Sequence, residues 1–214
     1  MKPSTNPTVP DTALPAPART AMGQSHFHES ARAQVAGAAH YIDDLPEVKG
    51  TLYAAPILST VAHGTLNGVD ASAALALPGV RGVVLAQDVP GDKLLAAFAH
   101  DEPVFAVDSV QFVGQVIGLV VADSVMQARR AVRAVKLDIT PLPAVLTVQD
   151  ALQAQSYVLP PVFVRRGDAA TGLAQSAHRM QGAFEVGGQE HFYLEGQIAY
   201  ALPLEQKQWW IYSS

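Results

Sequence analysis

Residues Gln115 to Ala122 read QVIGLVVA, an apolar run with a single polar residue at its start. A short, Val-rich run of this kind is the signature of a strand covered on both faces. Asp123-Ser124 follows and offers a cap to a helix over Val125 to Val135. Within that helix Val125, Ala128, Val132 and Val135 recur at helical spacing, leaving Arg129, Arg130 and Arg133 for the surface. Lys136 to Ile139 then alternates as a second strand. The three elements predict a β-α-β unit whose strands pair in parallel through a right-handed crossover. The loop after the first strand has no glycine-rich phosphate cradle, so the unit is not a dinucleotide-binding motif.

The remaining segments arrange themselves around this unit. Leu52 to Leu58 predicts a buried strand, and Pro56 within it predicts an edge or a bend. Asp70 is placed to cap a short helix over Ala71 to Leu77, which Pro78-Gly79 stops. Val80 to Ala86 is a further strand, and Asp88-Val-Pro-Gly91 a turn. Pro141-Leu-Pro143 ends the β-α-β unit, and Thr147 caps a short helix reaching Gln153. Tyr157 to Thr171, with Pro160-Pro161 and Gly167-Asp168, reads as a linker with brief order. From His178 three strands are expected: Met180 to Val186, Ile198 to Leu202, and Trp209 to Tyr212. Pro203 to Lys207 would join the last two as a hairpin. Ordered structure is expected from Ser25, after a Pro-rich tail over 1–24 that offers little to bury.

Composition removes several classes of function. The 214 residues suffice for one domain and part of another, and 49% of them are apolar. The formal net charge of −5 argues against non-specific nucleic-acid binding. No cysteine is present, which excludes a disulfide framework, a cysteine nucleophile, a cysteine zinc site and an iron–sulfur cluster held by this chain. The start carries a single Lys2 and no apolar run after it, unlike a secretory signal. The longest apolar stretch, Val116 to Ala122, is far short of the roughly 20 residues of a membrane span.

Three runs carry candidate chemistry. His26-Phe27-His28-Glu29 places two imidazoles on one face of a strand, within reach of one metal, but it borders the tail and lacks further ligands. His100-Asp101-Glu102-Pro103 offers paired carboxylates, yet neighbours on a strand face opposite ways, so a solvated turn is the better reading. Asp43-Asp44 is read in the same way. Gly187-Gly188-Gln189-Glu190-His191-Phe192-Tyr193-Leu194-Glu195 is the densest polar and aromatic run. Gln189, Glu190, His191 and Glu195 either form a buried network, or face a cofactor, or make a polar joint between two β segments, with the joint slightly favoured. No nucleophile elbow, His-Glu-x-x-His or phosphate loop occurs. The residues alone assign no catalytic, cofactor-binding or metal-ligating position.

An ordered set of weak motifs adds to this. Gly37 to Asp44, His63-Gly64 with Val69-Asp70, Leu77 to Val84 and Asp88 to Gly91 come first. Asp101 to Ala106, Val113 to Gly118 and Gly188 to Glu195 follow. In that order they resemble the N-terminal part of the molybdenum-cofactor (molybdopterin-binding) subunit of xanthine dehydrogenases, and more broadly the aldehyde oxidase and xanthine dehydrogenase family. The resemblance runs from about Ser25 to the end.

The resemblance implies an α+β fold: an a/b hammerhead domain over 25–143, a linker with short helices over 144–177, and the first β-strands of a molybdopterin-binding domain over 178–214. It implies hydroxylation of hypoxanthine and xanthine to urate in purine catabolism, with oxygen from water. Electrons leave through 2Fe-2S clusters and FAD on a partner subunit to NAD. The molybdenum–molybdopterin group is expected in the complete subunit, with its ligating residues beyond Ser214, and no cofactor in this chain alone. The family's molybdenum-facing glutamine, glycine-rich loop, substrate-binding Glu and Arg and catalytic Glu have no matching positions here. Gly196 stands where relatives commonly carry Thr. The resemblance therefore implies a cytoplasmic enzyme portion, inactive alone, with no nucleic-acid or membrane partner. Two other readings remain: a non-catalytic scaffold or interaction module with the same fold, and a portion of an aldehyde oxidase-type molybdenum hydroxylase.

Overall fold

A proline inside a strand is tolerated where its missing N–H faces no neighbour, and Pro56 meets that condition. It lies in β1 (Tyr53–Leu58), which among the described strands has a partner on one side only. The structure, a computed structural model, describes residues 23–95 and 100–214. A short helix α1 (Ala31–Val35) precedes β1. After it come β2 (Gly64–Asp70), α2 (Ser72–Leu75) and β3 (Val80–Leu85). Three two-residue strands follow: β4 (Leu94–Leu95), β5 (Glu102–Pro103) and β6 (Ser109–Val110). The predicted β-α-β segment supplies β7 (Val116–Ala122), α3 (Val125–Val132) and β8 (Lys136–Pro141). Beyond it lie α4 (Val148–Gln153), α5 (Ala169–Gln175), β9 (Ala199–Pro203) and β10 (Trp209–Ser213). The tail expected over 1–24 lies outside the described residues as far as residue 22.

The chain divides into two units. One is Glu47–Gly188. The other joins the described part of Met1–Pro46 to Gln189–Ser214. Within the first, β7 is the centre of a three-stranded sheet in the order β1-β7-β3, and β2 is the centre of another in the order β6-β2-β8. All these pairings are antiparallel. The parallel β-α-β pairing is therefore corrected: β7 and β8 lie in different sheets. Both edges of β7 are taken by β1 and β3, so β8 can find a ladder only on β2. Helix α3 packs on β1 and β7 instead of bridging parallel neighbours.

The helix is shorter than its apolar spacing predicts. It stops at Val132, and Ala134 and Val135 close the end by donating to the carbonyls of Ala131 and Val132. Its buried face is Ala128 and Ala131, while Val125 is exposed. Ser124 alone caps it, accepting from Gln127 N at 3.3 Å. Asp123, expected to share that role, holds Arg81 in a two-pronged ion pair at 2.6 and 2.8 Å. The helix expected over Ala71 to Leu77 shrinks to α2, and its N-cap is Ala71, leaving Asp70 one residue before it. The Asp70 carboxylate accepts from the Ser72 hydroxyl and N–H, and these bonds hold its pKa below the usual carboxylate range. Thr147 caps α4 as the sequence predicts, accepting from Asp150 N at 3.1 Å.

Strand β7 is buried on the face of Val120 and Ala122 and half-buried at Leu119 and Val121 on the other, while Ile117, at the register shift opposite Leu58, is buried. Val120 joins Ile57, Ala74, Val110 and Ala131 in the main cluster, which Leu66, Val69, Leu137 and Ile139 of the second sheet cover. Truncation of Val120 to Ala is expected to cost about 1–3 kcal/mol through lost burial and a residual cavity. Denaturant midpoints of the two proteins measure it, and an unchanged midpoint would show that this side chain does not anchor the core.

The strand expected over Met180 to Val186 is absent; residues 177–197 form no regular element. Met180, Phe184 and Val186 are 99%, 98% and 83% exposed, and no described strand lies alongside to complete a ladder. The last two strands do form. β9 and β10 pair antiparallel from Ala199↔Ser213 to Pro203↔Trp209. The turn at their tip places Gln206 and Lys207 at φ +57° and +61°. Tyr200 and Tyr212 stack across this hairpin at 6.0 Å.

Candidate functional site: the Glu195 joint

Two of the motifs meet within the discontinuous unit. In the 37–44 motif, Tyr41 N donates to Asp44 Oδ2 at 2.9 Å, closing a 3-10 turn over Ile42–Asp44. That turn presents the Ile42 N–H, and Glu195 Oε1 accepts it at 2.9 Å. The bond links residues 153 positions apart, and both partners are half-buried. A charged acceptor on a partly desolvated N–H is among the stronger hydrogen bonds of a protein. Of the 188–195 run, Glu195 makes this long-range bond. Its partner is the N-terminal segment and not a second β segment.

The other polar residues of the run do not converge. Gln189, Glu190 and His191 are exposed, and His191 N donates locally to Glu190 Oε1. Gln197 Nε2 donates to the Tyr193 hydroxyl at 2.8 Å. Gly187 and Gly188 do not take a left-handed conformation; that conformation falls on Phe192, at φ +52°. An aromatic residue there is strained, and its ring is almost fully exposed.

His28 Nδ1 lies 2.9 Å from the Ser30 hydroxyl at the entry to α1, and Phe27 is exposed. Among the described residues no three His, Asp or Glu side chains gather in one place. His100 pairs with Asp92 at 2.9 Å, with both side chains more than half exposed. Asp92 is held below the usual carboxylate range, chiefly by the Leu94 N–H and also by His100. Asp101 and Glu102 are exposed at the rim of an open cavity of about 330 Å³, whose lining includes Phe112 and Gln115.

Gln115 escaped the sequence reading. It is 93% buried, and its carboxamide oxygen accepts from Gln111 N at 2.7 Å. Its backbone carbonyl accepts from Ser59 N, and Gly114 N donates to Ser59 O. Gly114 at φ +90° makes that exchange possible. The only signal was a polar residue opening an apolar strand. His63 likewise gains a role from tertiary structure. Its Nδ1 donates to the Pro143 carbonyl at 2.7 Å, while Leu142 N donates to His63 O at 2.8 Å.

Replacing Glu195 by Ala is expected to speed exchange of the Ile42 amide about tenfold, the loss of one charge-assisted bond. Amide exchange followed by NMR measures it. Unchanged exchange at Ile42 would show that the carboxylate does not hold the joint.

Comparison with known proteins agrees with the ordered motifs. Residues 36–143 match the family model for the aldehyde oxidase and xanthine dehydrogenase a/b hammerhead domain. Residues 153–214 match that for the molybdopterin cofactor-binding domain. The xanthine dehydrogenase/oxidase of Gallus gallus is 41% identical over 182 residues, covering 85% of this chain and 13% of its own length. The xanthine dehydrogenase of Oryza sativa subsp. japonica is 41% identical over 189 residues, covering 87% and 14%. Among solved structures, the aldehyde oxidoreductase of Desulfovibrio gigas superposes with a TM-score of 0.76 at 29% identity, over 86% of this chain and 23% of its own. The chain thus spans about one seventh of the length of the curated relatives it matches. No helix among the described residues is long and apolar enough to cross a membrane.

Proposed function

The chain belongs to the aldehyde oxidase and xanthine dehydrogenase family, and from that premise we propose that it acts as the N-terminal portion of the molybdenum subunit of a xanthine dehydrogenase. In this reading 25–143 is the hammerhead domain, 144–177 a linker, and 178–214 the opening of the molybdopterin-binding domain. The observation that carries it is the Glu195–Ile42 bond. It unites the two motifs that lie in different parts of the resemblance, and so gives both a common structural purpose. The identity of 41% to xanthine dehydrogenases over most of the chain supports the purine reading over the aldehyde one.

The reaction proposed for the assembled enzyme is hydroxylation of hypoxanthine and xanthine to urate. Each turnover replaces a carbon-bound hydrogen by hydroxyl, takes the oxygen from water, and releases two electrons. The molybdenum group supplies the redox and oxygen-transfer chemistry when bound. FAD and 2Fe-2S centres on a partner subunit pass the electrons to NAD. The enzyme is placed in the cytoplasm. The contribution of this chain is scaffolding. The two three-stranded sheets share one core, and Glu195 holds the N-terminal turn at Ile42.

The second reading, an aldehyde oxidase-type hydroxylase, is favoured by the structural likeness to the Desulfovibrio gigas aldehyde oxidoreductase. Metal analysis and a xanthine assay of the purified chain are expected to give neither stoichiometric molybdenum nor turnover. Coexpression with the remaining length of a xanthine dehydrogenase relative is expected to give xanthine turnover. Turnover of an aldehyde but not xanthine by that complex selects the second reading. Molybdenum or activity in the isolated chain overturns both.

A further inference from the structure

A bulge marks β2, the central strand of the second sheet. Leu66 pairs with Ile139 and Gly68 with Asp138, so Asn67 between them has no residue opposite it on β8. Its side chain is exposed, as are Asp138 and Thr140. Asn67 Nδ2 donates twice across the ladder, to Thr140 Oγ1 at 2.8 Å and to Asp138 Oδ1 at 3.2 Å. Nearby on the same strand Leu66 and Val69 pack against the main apolar cluster. The carboxamide thus ties β8 to β2 at the place where the main-chain register slips.

An asparagine followed by glycine carries its own nucleophile. The next backbone nitrogen can close a ring onto the side-chain carbonyl carbon, and glycine puts no side chain in the way. An added Cβ on Gly68 would meet nothing within 4 Å, so the space beside this residue is open. The sequence holds one further asparagine, Asn6, but Pro7 after it has no N–H to lose. Asn67 is therefore the single asparagine of the sequence to which this ring closure is open.

We propose that Asn67-Gly68 is a self-modification site of the folded chain: the Gly68 nitrogen displaces ammonia from the Asn67 carboxamide once Asp138 and Thr140 release it. The Gly68 N–H proton leaves, the nitrogen lone pair bonds to Asn67 Cγ, and the Cγ–Nδ2 bond breaks as Nδ2 departs in ammonia. Water then opens the cyclic imide at either carbonyl and returns a proton to the Gly68 nitrogen. Aspartate or isoaspartate is left at position 67. Nothing is oxidised or reduced, and water is the only co-reactant. Both products lose the two N–H donors and place a carboxylate opposite Asp138, a like-charge pair across the ladder. The isoaspartyl product also lengthens the main chain of β2 by one carbon and displaces the register beyond it. Both Nδ2 bonds must break before the unmodified side chain can turn back on its own backbone, so the β2–β8 ladder sets the rate.

The test is peptide mapping of the full chain during storage in buffer, reading aspartate and isoaspartate at position 67. Both are expected to accumulate in the folded protein. Asp138→Ala combined with Thr140→Val is expected to speed their formation on the order of tenfold, through loss of the two restraining bonds. Amide protection in β7 reports that this variant stays folded; if it is lost, Thr140→Val alone, which removes the shorter bond, takes its place. Gly68→Ala is expected to suppress the conversion by adding a side chain beside the attacking nitrogen. The consequence is read separately. Asn67→Asp is expected to speed amide exchange in β8 on the order of tenfold, and adding Asp138→Asn is expected to restore slow exchange, because a donor again faces an acceptor. Aspartate and isoaspartate that form only when the chain is unfolded in urea overturn the proposal, as does a rate unchanged in the double variant. Unchanged β8 exchange in Asn67→Asp overturns the claim that the product loosens the ladder.

Discussion

Gly118→Ala is expected to destabilise the protein by about 3 kcal/mol, at the upper end of what over-packing costs. Gly118 is the residue of β7 that pairs with Ile57 on one side and Leu85 on the other. A Cβ placed on it would stand 2.5 Å from the Val84 carbonyl oxygen and 2.5 Å from Leu85 Cδ2. A side chain can turn aside, but a backbone carbonyl in a ladder cannot move without parting β3 from β7. For a chain of this size the loss corresponds to a fall in Tm of roughly 6–12 °C. A thermal melt of the two proteins measures it, and a shift under about 2 °C would show that the two strands are free to separate. The same substitution at Gly68 or Gly82, where an added Cβ meets nothing within 4 Å, serves as the control.

The second large effect concerns association. Among the described residues the hairpin β9–β10 has no further strand on either edge, and Trp209, Trp210 and Ile211 are each more than half exposed. No described residue of 23–46 or 189–214 is buried. A lone hairpin of this kind is marginal in water, and open edges with large apolar side chains invite pairing with other chains. The full chain is therefore expected to scatter light more strongly than a version ending at Ser176, at matched concentration. The shorter version is expected to fold, because every buried residue from Ala55 to Ala131 lies before its end. A monomeric full chain beside an unfolded shorter one would show that the C-terminal strands stabilise the core, and would favour the stand-alone scaffold reading.

These two effects differ in how far the sequence revealed them. The Trp-rich end was visible as an apolar strand pattern, and so was its liability. The special role of Gly118 was not, since a glycine inside an apolar run says nothing of how near a neighbouring carbonyl will come. The same contrast holds for the joint. Gly37 to Asp44 and Gly188 to Glu195 stood out as motifs, and the family resemblance followed from their order. That Glu195 reaches Ile42 N could not be read from either, because a hydrogen bond across 153 positions leaves no local pattern.

By itself the sequence determined what is local. Val and Ile content made β7 a strand, Ser124 and Thr147 started α3 and α4, and Pro56 kept β1 at an edge. Each of these follows from side-chain chemistry within a few residues. Tertiary structure decided which edges pair. Strand β7 was expected to take β8 as a parallel partner, yet β1 and β3 occupy both its edges and send β8 to β2. Residues 179–186 carry a strand pattern as clear as any in the chain, yet they form none. A strand is completed by hydrogen bonds to a neighbour, and the neighbour is chosen by the whole fold rather than by the strand.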